Sequence, residues 1–421
     1  RTLHITENFS PDDPYKLKYF MNEGTLYQND ILEDSEGNFI TIGTANDWGV
    51  FTKFSPTGDL LSTKTIMADS CFMTSFSSIT EYNGHFYIVG SCGDMNRHGL
   101  IIKTDLNGNV IDENNFNLEY RTYFDDIVIE SDIIYVLGRE SIDGSNDTVG
   151  VLGYNSVVYK LDASLNIEWK STGISVDTVT LFEVGATTAT YIASNVNGSY
   201  LMTVNLNTIV SSQQLLSTNT DYVYDTIRLA DGKIIAVGYN STTNIGYIYN
   251  LTSNLKYQIS FNSNSMRPTT LIQRTDGSIL IAGRSVDGLD TWLLTYNSNL
   301  SFDTSKLFSG SGTDAIEQIA EMNGDIFITG HNTSVDDTFY NARIVASGVE
   351  DYLFPVFYGV LPADLDDFNG DVEPPVITMN GDEIMNIIVG TEFVDPNIAI
   401  ADNQTTSFVY QKIGEVNTDV T

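Results

Sequence analysis

Short runs of hydrophobic residues alternate with polar turn residues along most of the chain. The segment from Thr270 to Phe308 shows this pattern most clearly, with apolar runs at 271–272, 279–282, 292–296 and 306–308. Asp276-Gly277 separates the first two runs, and Asp-Gly between apolar runs is a strong signal for a tight β-hairpin. The pattern therefore predicts four antiparallel strands joined by turns.

The same pattern recurs along the chain, and a glycine closes the second strand of nearly every copy. Ser194 replaces this glycine in the fourth copy. The copies lie about 48 residues apart, which is typical of propeller blades with four strands. The other six copies end this strand at Gly43, Gly90, Gly138, Gly238, Gly283 and Gly330. We therefore expect an all-β fold, a seven-bladed β-propeller of four-stranded antiparallel blades over residues 1–360, with a β-solenoid as the alternative.

Two segments compete to close the ring of blades. Residues 15–20 align with the end of a fourth strand although no full repeat precedes them. Residues 352–357 follow the last repeat and have a similar pattern. Either could pair with the last blade and remove its open edge, and the sequence does not choose between them.

The composition changes after the repeats. Residues 361–375 are acidic, contain prolines and lack periodicity, which is typical of a linker. Residues 376–421 return to short alternating strands with Gly, Asp and Asn turns. This second region predicts a partial Ig-like β-sandwich at the C-terminus, which later residues or another chain would complete.

The charge of the chain limits its partners. There are 55 acidic and 20 basic residues, a formal net charge of −35. Nucleic acid and anionic membranes are therefore poor partners, and no apolar run is long enough to insert into a membrane. The acidity favours either solubility and adaptation to salt, or a surface that binds cations, for which calcium is the candidate cofactor.

One polar position recurs seven residues before the first turn of each repeat. Four of its occupants are acidic, and in a propeller they would ring the mouth of the central channel. The seven residues are Asp30, Ser77, Asp125, Thr178, Asp225, Thr270 and Glu317. They could cap strands and hold channel water, bind a cation, or form an active site. Carboxylates this close would repel one another and raise some of their pKa values.

The two cysteines flank the first strands of the second repeat. Cys71 precedes its first strand, and Cys92 follows its second strand. In a four-stranded meander these two loops lie on the same face, so a disulfide is feasible and would contribute roughly 3 kcal/mol. Two free buried thiols are the alternative.

Catalytic motifs are scarce. The four histidines are scattered without metal-ligand spacing, and no Gly-x-Ser-x-Gly sequence is present. The sequence thus predicts no catalytic residue, and an enzymatic activity is the less favoured interpretation.

Two regions resemble known families. The repeats with Glu36-Gly37, Asp231-Gly232 and Asp276-Gly277 resemble those of bacterial secreted β-propellers. The tail resembles bacterial Ig-like surface repeats, through 375–377, 380–382, 389–390, 393–396 and 401–403. Both resemblances imply an extracellular or cell-surface bacterial protein.

These observations predict a binding or adhesion module that presents one propeller face to a glycan or a surface protein. One alternative is a structural subunit that forms a homopolymer by strand addition. A second alternative is a carboxylate- or metal-dependent enzyme acting on polysaccharides. The fold alone cannot choose among these functions, because propellers support many of them.

Overall fold

The computed structural model describes most of the repeat region and two short segments of the tail. The chain separates into two compact units, Pro11–Tyr358 and a second unit made of Arg1–Ser10 with Gly359–Thr421. The described residues are 15–20, 26–45, 47–56, 60–69, 71–93, 97–116, 121–142, 153–195, 197–217, 221–240, 243, 245–253, 255–261, 264–285, 290–309, 314–322, 325–332, 338–344, 376–379 and 398–401.

The larger unit consists of antiparallel strands. The strands as far as the third repeat are β1 (Tyr15–Phe20), β2 (Leu26–Glu33), β3 (Phe39–Ala45), β4 (Trp48–Phe54), β5 (Leu60–Ile66), β6 (Thr74–Tyr82), β7 (His85–Cys92), β8 (His98–Thr104), β9 (Val110–Phe116), β10 (Thr122–Glu130), β11 (Ile133–Ser141), β12 (Tyr154–Leu161) and β13 (Ile167–Val176). The strands of the later repeats are β14 (Thr178–Val184), β15 (Thr188–Asn195), β16 (Gly198–Asn205), β17 (Val210–Ser217), β18 (Asp221–Arg228), β19 (Ile234–Asn240), β20 (Ile245–Asn250), β21 (Leu255–Phe261), β22 (Asn264–Gln273), β23 (Ile279–Ser285), β24 (Asp290–Tyr296), β25 (Phe302–Ser309), β26 (Asp314–Met322), β27 (Asp325–Asn332) and β28 (Thr338–Ile344).

These strands form an all-β propeller of four-stranded antiparallel meanders, but the predicted count of seven blades is wrong. In the described part of the chain, the propeller strands form five four-stranded sheets and one eight-stranded sheet, β18 to β25. Counted as hydrogen-bonded sheets, the propeller therefore has six blades. The fifth and sixth repeats merge because β21 pairs with β22 at Ser260↔Ser265 and Phe261↔Asn264. Only two residues separate these strands in sequence, so they meet as a hairpin.

The N-terminal strand closes the ring. Strand β1 pairs antiparallel with β28, from Tyr15↔Ile344 to Phe20↔Phe339. It thereby supplies the fourth strand of the sheet that also contains β26 and β27. The other candidate for closure, 352–357, lies outside the described residues. Pairing the two ends of the repeat region removes an open sheet edge.

A β-bulge in the first strand explains the recurring glycine. The pairing of the first two strands shifts register immediately after the partner of this glycine, for example between Phe124 and Asp126 opposite Gly138. A Cβ atom at Gly138 would lie 2.3 Å from the Tyr123 carbonyl oxygen. The fourth repeat has no shift at this point, and Ser194 pairs directly with Thr178. The bulge brings a carbonyl against the second strand, so only glycine fits there.

Hydrophobic side chains between consecutive repeats form the core. Phe51 of the first repeat and Phe86 of the second are fully buried, with ring centroids 5.6 Å apart. Gly49 leaves space for the Phe76 ring, since a Cβ there would lie 2.5 Å from that ring. Gly99 accommodates Phe124 in the same way at the next interface. These two interfaces thus pack a first-strand aromatic residue against the third strand of the preceding repeat.

The smaller unit contains one described strand pair. Strand β29 (Val376–Met379) pairs antiparallel with β30 (Ile398–Ala401). The predicted linker at 361–375 and most of the predicted Ig-like region lie outside the described residues, so both assignments stay predictions. No helix in the described segments is long and apolar enough to cross a membrane.

Candidate functional site

The structure places the predicted polar ring at the β-bulges of the first strands. Asp30, Asp225 and Thr270 come directly after a bulge, whereas Ser77, Asp125 and Glu317 are themselves the bulged residues. Counting seven residues back from each first turn therefore selected the post-bulge residue in some repeats and the bulged residue in others. The residues that share the post-bulge position, which we call the channel ring, are Asp30, Ser78, Asp126, Asp225, Thr270 and Gln318.

Hydrogen bonds link consecutive members of the channel ring. The Asp30 Oδ2 atom accepts the Ile79 N–H at 2.9 Å. The Ser78 hydroxyl donates to Asp126 Oδ1 at 2.9 Å. These contacts connect the first three repeats around the channel, because each joins one first strand to the next.

The later repeats continue the ring in the same way. The Asp225 Oδ2 atom accepts the Thr270 hydroxyl at 2.8 Å and the Leu271 N–H at 3.0 Å. The Thr270 oxygen also lies 3.1 Å from Gln318 Oε1. In the fourth repeat, Thr178 instead donates to the Val223 carbonyl at 3.1 Å.

The bulged residues form a second layer of contacts between repeats. The Asn29 side-chain amide donates to the Phe76 carbonyl, and the Thr269 hydroxyl donates to the Ile316 carbonyl. Bulge and post-bulge side chains therefore satisfy backbone groups of the following repeat. This arrangement agrees with the interpretation of the polar position as a structural cap of the strands.

Three carboxyls of the channel ring have raised pKa values. Burial is the main cause in each case, and it brings the pKa of Asp30 and Asp225 to about 6 and that of Asp126 to about 7. The charge of Asp30 adds to the rise at Asp126. Each residue keeps some exposed surface, but protein surrounds its carboxyl and replaces water that would otherwise solvate the charge. These groups therefore take up protons near neutral pH.

No group of three or more His, Cys, Asp or Glu residues in the described segments has an arrangement that could hold a metal ion. The ring carboxyls are instead separated by Ser78, Thr270 and Gln318. Calcium binding by this protein stays a prediction.

The face where the first strands end, here called the turn face, is closed by contacts between neighbouring repeats. Glu81 accepts the Ser35 N–H at 2.6 Å, and Asp132 accepts the Tyr82 hydroxyl at 2.7 Å. Arg228 pairs with Glu183 at 2.6 Å between the fourth and fifth repeats. Many polar side chains on this face therefore already bind one another.

The opposite face, where first strands begin and second strands end, has exposed aromatic side chains. We call it the entry face. Phe72, just before β6, is 84% exposed, and Trp48 at the start of β4 is 44% exposed. The Thr74 N–H donates to the Asp47 carbonyl at 2.7 Å, which holds the two segments side by side. Large exposed aromatics that cluster on one face usually mark a binding surface.

A disulfide anchors the segment that carries Phe72. Cys71 and Cys92 are bonded, with Cα atoms 5.5 Å apart and a sequence separation of 21. The Asn115 side-chain amide donates to Cys92 Sγ at 3.1 Å. The bond ties the loop before β6 to the end of β7 and so restricts the position of Phe72.

Arginine and tyrosine side chains continue the entry face at the third repeat. Arg139 lies over the rings of Tyr123 and Tyr154, at 5.6 Å and 6.0 Å. It also forms two hydrogen bonds with Asp125, at 2.7 Å and 2.9 Å. The Arg97 guanidinium carbon also lies over the Tyr123 ring, 6.0 Å from its centroid. The charge of Arg139 is thus neutralised within the protein.

Sequence reasoning missed the aromatic and arginine residues of this face. Trp48 and Phe72 occupy loops whose spacing from the repeats varies, so no periodic signal marks them. Arg139 directly follows the closing Gly138, and a position-by-position comparison of the repeats would have found it.

Comparison with known proteins identifies the fold but no family. No protein-family model and no curated protein matches the chain. Similar solved structures include puromycin hydrolase, with 9% identity, a TM-score of 0.51 and coverage of 79% of this chain and 54% of that one. Another is the Dos1 propeller, with 12% identity, a TM-score of 0.45 and coverage of 79% and 81%.

A third similar structure is a quinonprotein alcohol dehydrogenase-like protein from Bacteroides thetaiotaomicron, with 15% identity, a TM-score of 0.44 and coverage of 68% of this chain and 67% of that one. Identities this low show a shared fold and not a shared activity. The likeness therefore concerns the fold alone, and the function of this protein must be argued from its own surface.

Proposed function

We propose that this protein is an extracellular or cell-surface binding module whose entry face contacts a glycan or protein ligand. The observation that carries the proposal is the exposure of Phe72 beside the Cys71–Cys92 disulfide. A large apolar side chain with 84% exposure gains nothing from folding. A ligand that buries the Phe72 ring would explain why this residue lies exposed on a loop held by a disulfide.

The restraint also favours binding. A side chain that is already held in place loses little conformational entropy when a ligand covers it. Trp48 lies on the neighbouring segment, so two aromatic side chains can act as anchors, which is typical of the centres of protein interfaces. The turn face offers no such aromatic pair among the described residues, and its polar groups are engaged between repeats.

The disulfide supports a location outside the cytosol. Such bonds persist in oxidising compartments and are reduced in most cytosols. The resemblance of the repeats and the tail to secreted and surface proteins points the same way. Localisation is tested by tagging the full chain in its native host and comparing protease accessibility in intact and lysed cells.

The binding proposal is tested with the full chain on an array of glycans and surface proteins. We expect the paired variant Trp48→Ala, Phe72→Ala to lose most of the binding seen with the unmodified chain. The matched control is Phe302→Ala, which removes an aromatic ring that is 55% exposed on the outer strand β25. Equal binding by the paired variant and the control would overturn the proposal, provided that both retain the wild-type thermal midpoint.

A further inference from the structure

Two arginines on the entry face lie directly opposite each other. Arg267 in β22 pairs in register with Arg284 in β23. Like charges opposite each other on antiparallel strands are destabilising. Within the described part of the chain, neither guanidinium forms an ion pair with an acidic residue. This pairing is unexpected in a chain with 55 acidic and 20 basic residues.

Tyrosine side chains surround this pair. The Arg267 guanidinium carbon lies 4.2 Å from the Tyr239 ring centroid, and Arg267 Nη2 donates to the Tyr239 hydroxyl at 3.0 Å. The Nε atom of Arg267 is buried and has no hydrogen-bond partner among the residues that the structure describes. A buried donor without a partner is costly, so this arrangement is incomplete as the protein stands.

Tyr224 provides an accessible surface beside the two arginines. It is the bulged residue of β18 and is 40% exposed. Burial raises the pKa of its hydroxyl, and the charges of Arg267 and Arg284 oppose that rise. Tyr222 and Tyr239 are also close enough to act on this hydroxyl. The site thus combines two cations with an exposed aromatic ring.

We propose that Arg267, Arg284 and Tyr224 bind an acidic polysaccharide through the carboxylate or sulfate of one sugar residue. The inference rests on the binding function proposed for the same face, and it names the ligand class. A guanidinium group can form paired hydrogen bonds with two oxygens of one anionic group, such as a carboxylate or a tetrahedral oxyanion. The C–H face of the sugar ring packs on the Tyr224 ring, because aromatic rings bury apolar surface while their hydroxyls stay hydrogen-bonded.

The surroundings favour a sugar over an acidic peptide. Peptides commonly add to a free strand edge or insert side chains into apolar pockets. Strand β23, which carries Arg284, is paired along its length with β22 on one side and β24 on the other, so it offers no free edge. The cluster instead presents tyrosine hydroxyls, which can donate to and accept from sugar hydroxyls.

The strong negative charge of the protein does not prevent such binding at physiological salt. The Debye length is about 8 Å at 0.15 M ionic strength, so distant carboxylates are largely screened. A polyanion at the entry face therefore interacts mainly with the groups it touches. Next to Arg267 and Arg284, that local interaction is attractive for an anion.

The experiment measures binding of the full chain at about 0.15 M salt to a polyuronate, a sulfated galactan, neutral dextran and poly-glutamate. Arg284→Gln and Arg267→Gln remove one charge each from the site. The matched control is Arg228→Gln, which removes the same charge from the turn face, where Arg228 pairs with Glu183. Thermal midpoints are recorded for all variants.

We expect binding to the polyuronate, the sulfated galactan or both, reduced about tenfold or more by Arg284→Gln and unchanged by Arg228→Gln. The thermal midpoint of Arg284→Gln should stay the same or rise, because the substitution removes a repulsion. A purely structural arginine would instead lower it when removed.

Three results would overturn the inference. The first is binding to neither acidic glycan, and the second is binding that Arg284→Gln leaves intact. The third is equal competition by poly-glutamate, which would identify an acidic peptide as the ligand. If dextran or a protein still binds and depends on Trp48 and Phe72, the proposed function stands and only the ligand class is wrong.

Discussion

The substitution Gly238→Ala tests the link between the β-bulge and the recurring glycine. A Cβ atom at this position would lie 2.3 Å from the Tyr222 carbonyl oxygen and 3.3 Å from the Val223 Cα atom. Ordinary contact begins at 3.4 Å, so the two backbones would have to separate by about 1 Å. Overpacking of a core costs about 1–3 kcal/mol when side chains can adjust. Here a hydrogen-bonded backbone opposes the new atom, and we expect a loss of about 3 kcal/mol.

The assay is urea-induced unfolding of the full chain, with the change in the free energy of unfolding as the readout. Two control variants separate the clash from other effects of adding a methyl group. Gly232→Ala introduces a side chain at a φ of +85° with no atom within 4 Å, so it should cost only about 1 kcal/mol. Ser194→Ala changes the equivalent position of the repeat without a bulge there, and it should cost about 1 kcal/mol because it removes the buried hydrogen bond between the Ser194 and Ser199 hydroxyls.

The reasoning fails if Gly238→Ala destabilises the protein no more than Gly232→Ala does. In that case the glycine would be needed for its conformational freedom and not for the close approach of the Tyr222 carbonyl. A large cost for Ser194→Ala would contradict the argument as well, since the structure shows no bulge opposite that residue.

Three further predictions concern buried charges and the disulfide. The pKa of Asp126 is about 7 in the folded state, which is above its unfolded value, so its deprotonation destabilises the fold as the pH rises from about 4 to 7. Asp126→Asn should therefore raise the thermal midpoint at pH 8, and this advantage should disappear below pH 5. A difference in thermal midpoint that does not depend on pH would refute this cause. Replacing Cys71 and Cys92 by serine should cost about 3 kcal/mol for a loop of 21 residues, and reductant should lower the urea midpoint of the unmodified protein but not of this variant. Lys53→Met should cost about 3 kcal/mol, because Lys53 is bonded to the buried Asp34 carboxylate at 2.9 Å; an unchanged urea midpoint would show that Asp34 does not need this partner.

The local elements of the fold follow from the sequence alone. Apolar alternation and Asp-Gly turns set each hairpin through contacts between residues close in the chain, as at Asp276-Gly277. The recurring glycine carries further information, since it marks a close approach of two backbones, as the structure shows at Gly90, Gly138, Gly238 and Gly283. The observed antiparallel meanders agree with this reading because hairpin geometry depends on few residues.

The contacts between repeats could not be predicted from the sequence and are known only from the tertiary structure. The merging of the fifth and sixth repeats rests on the two residue pairs between β21 and β22, which alternation does not reveal. Counting residues back from the turns also gave the wrong register for part of the channel ring. A bulge inserts one residue and moves the following side chains to the other side of the strand. Ser78, Asp126 and Gln318 consequently occupy the positions expected for Ser77, Asp125 and Glu317.

The candidate sites were even less visible in the sequence. Arg267 and Arg284 lie 17 residues apart in the chain, and only the pairing of β22 with β23 brings them face to face. The exposure of Phe72 likewise depends on how its loop packs after the disulfide forms. The sequence by itself determined strands, turns and the repeat, because these arise from neighbouring residues. The tertiary structure decided register, sheet count and surface chemistry, because these arise from residues that only folding brings together.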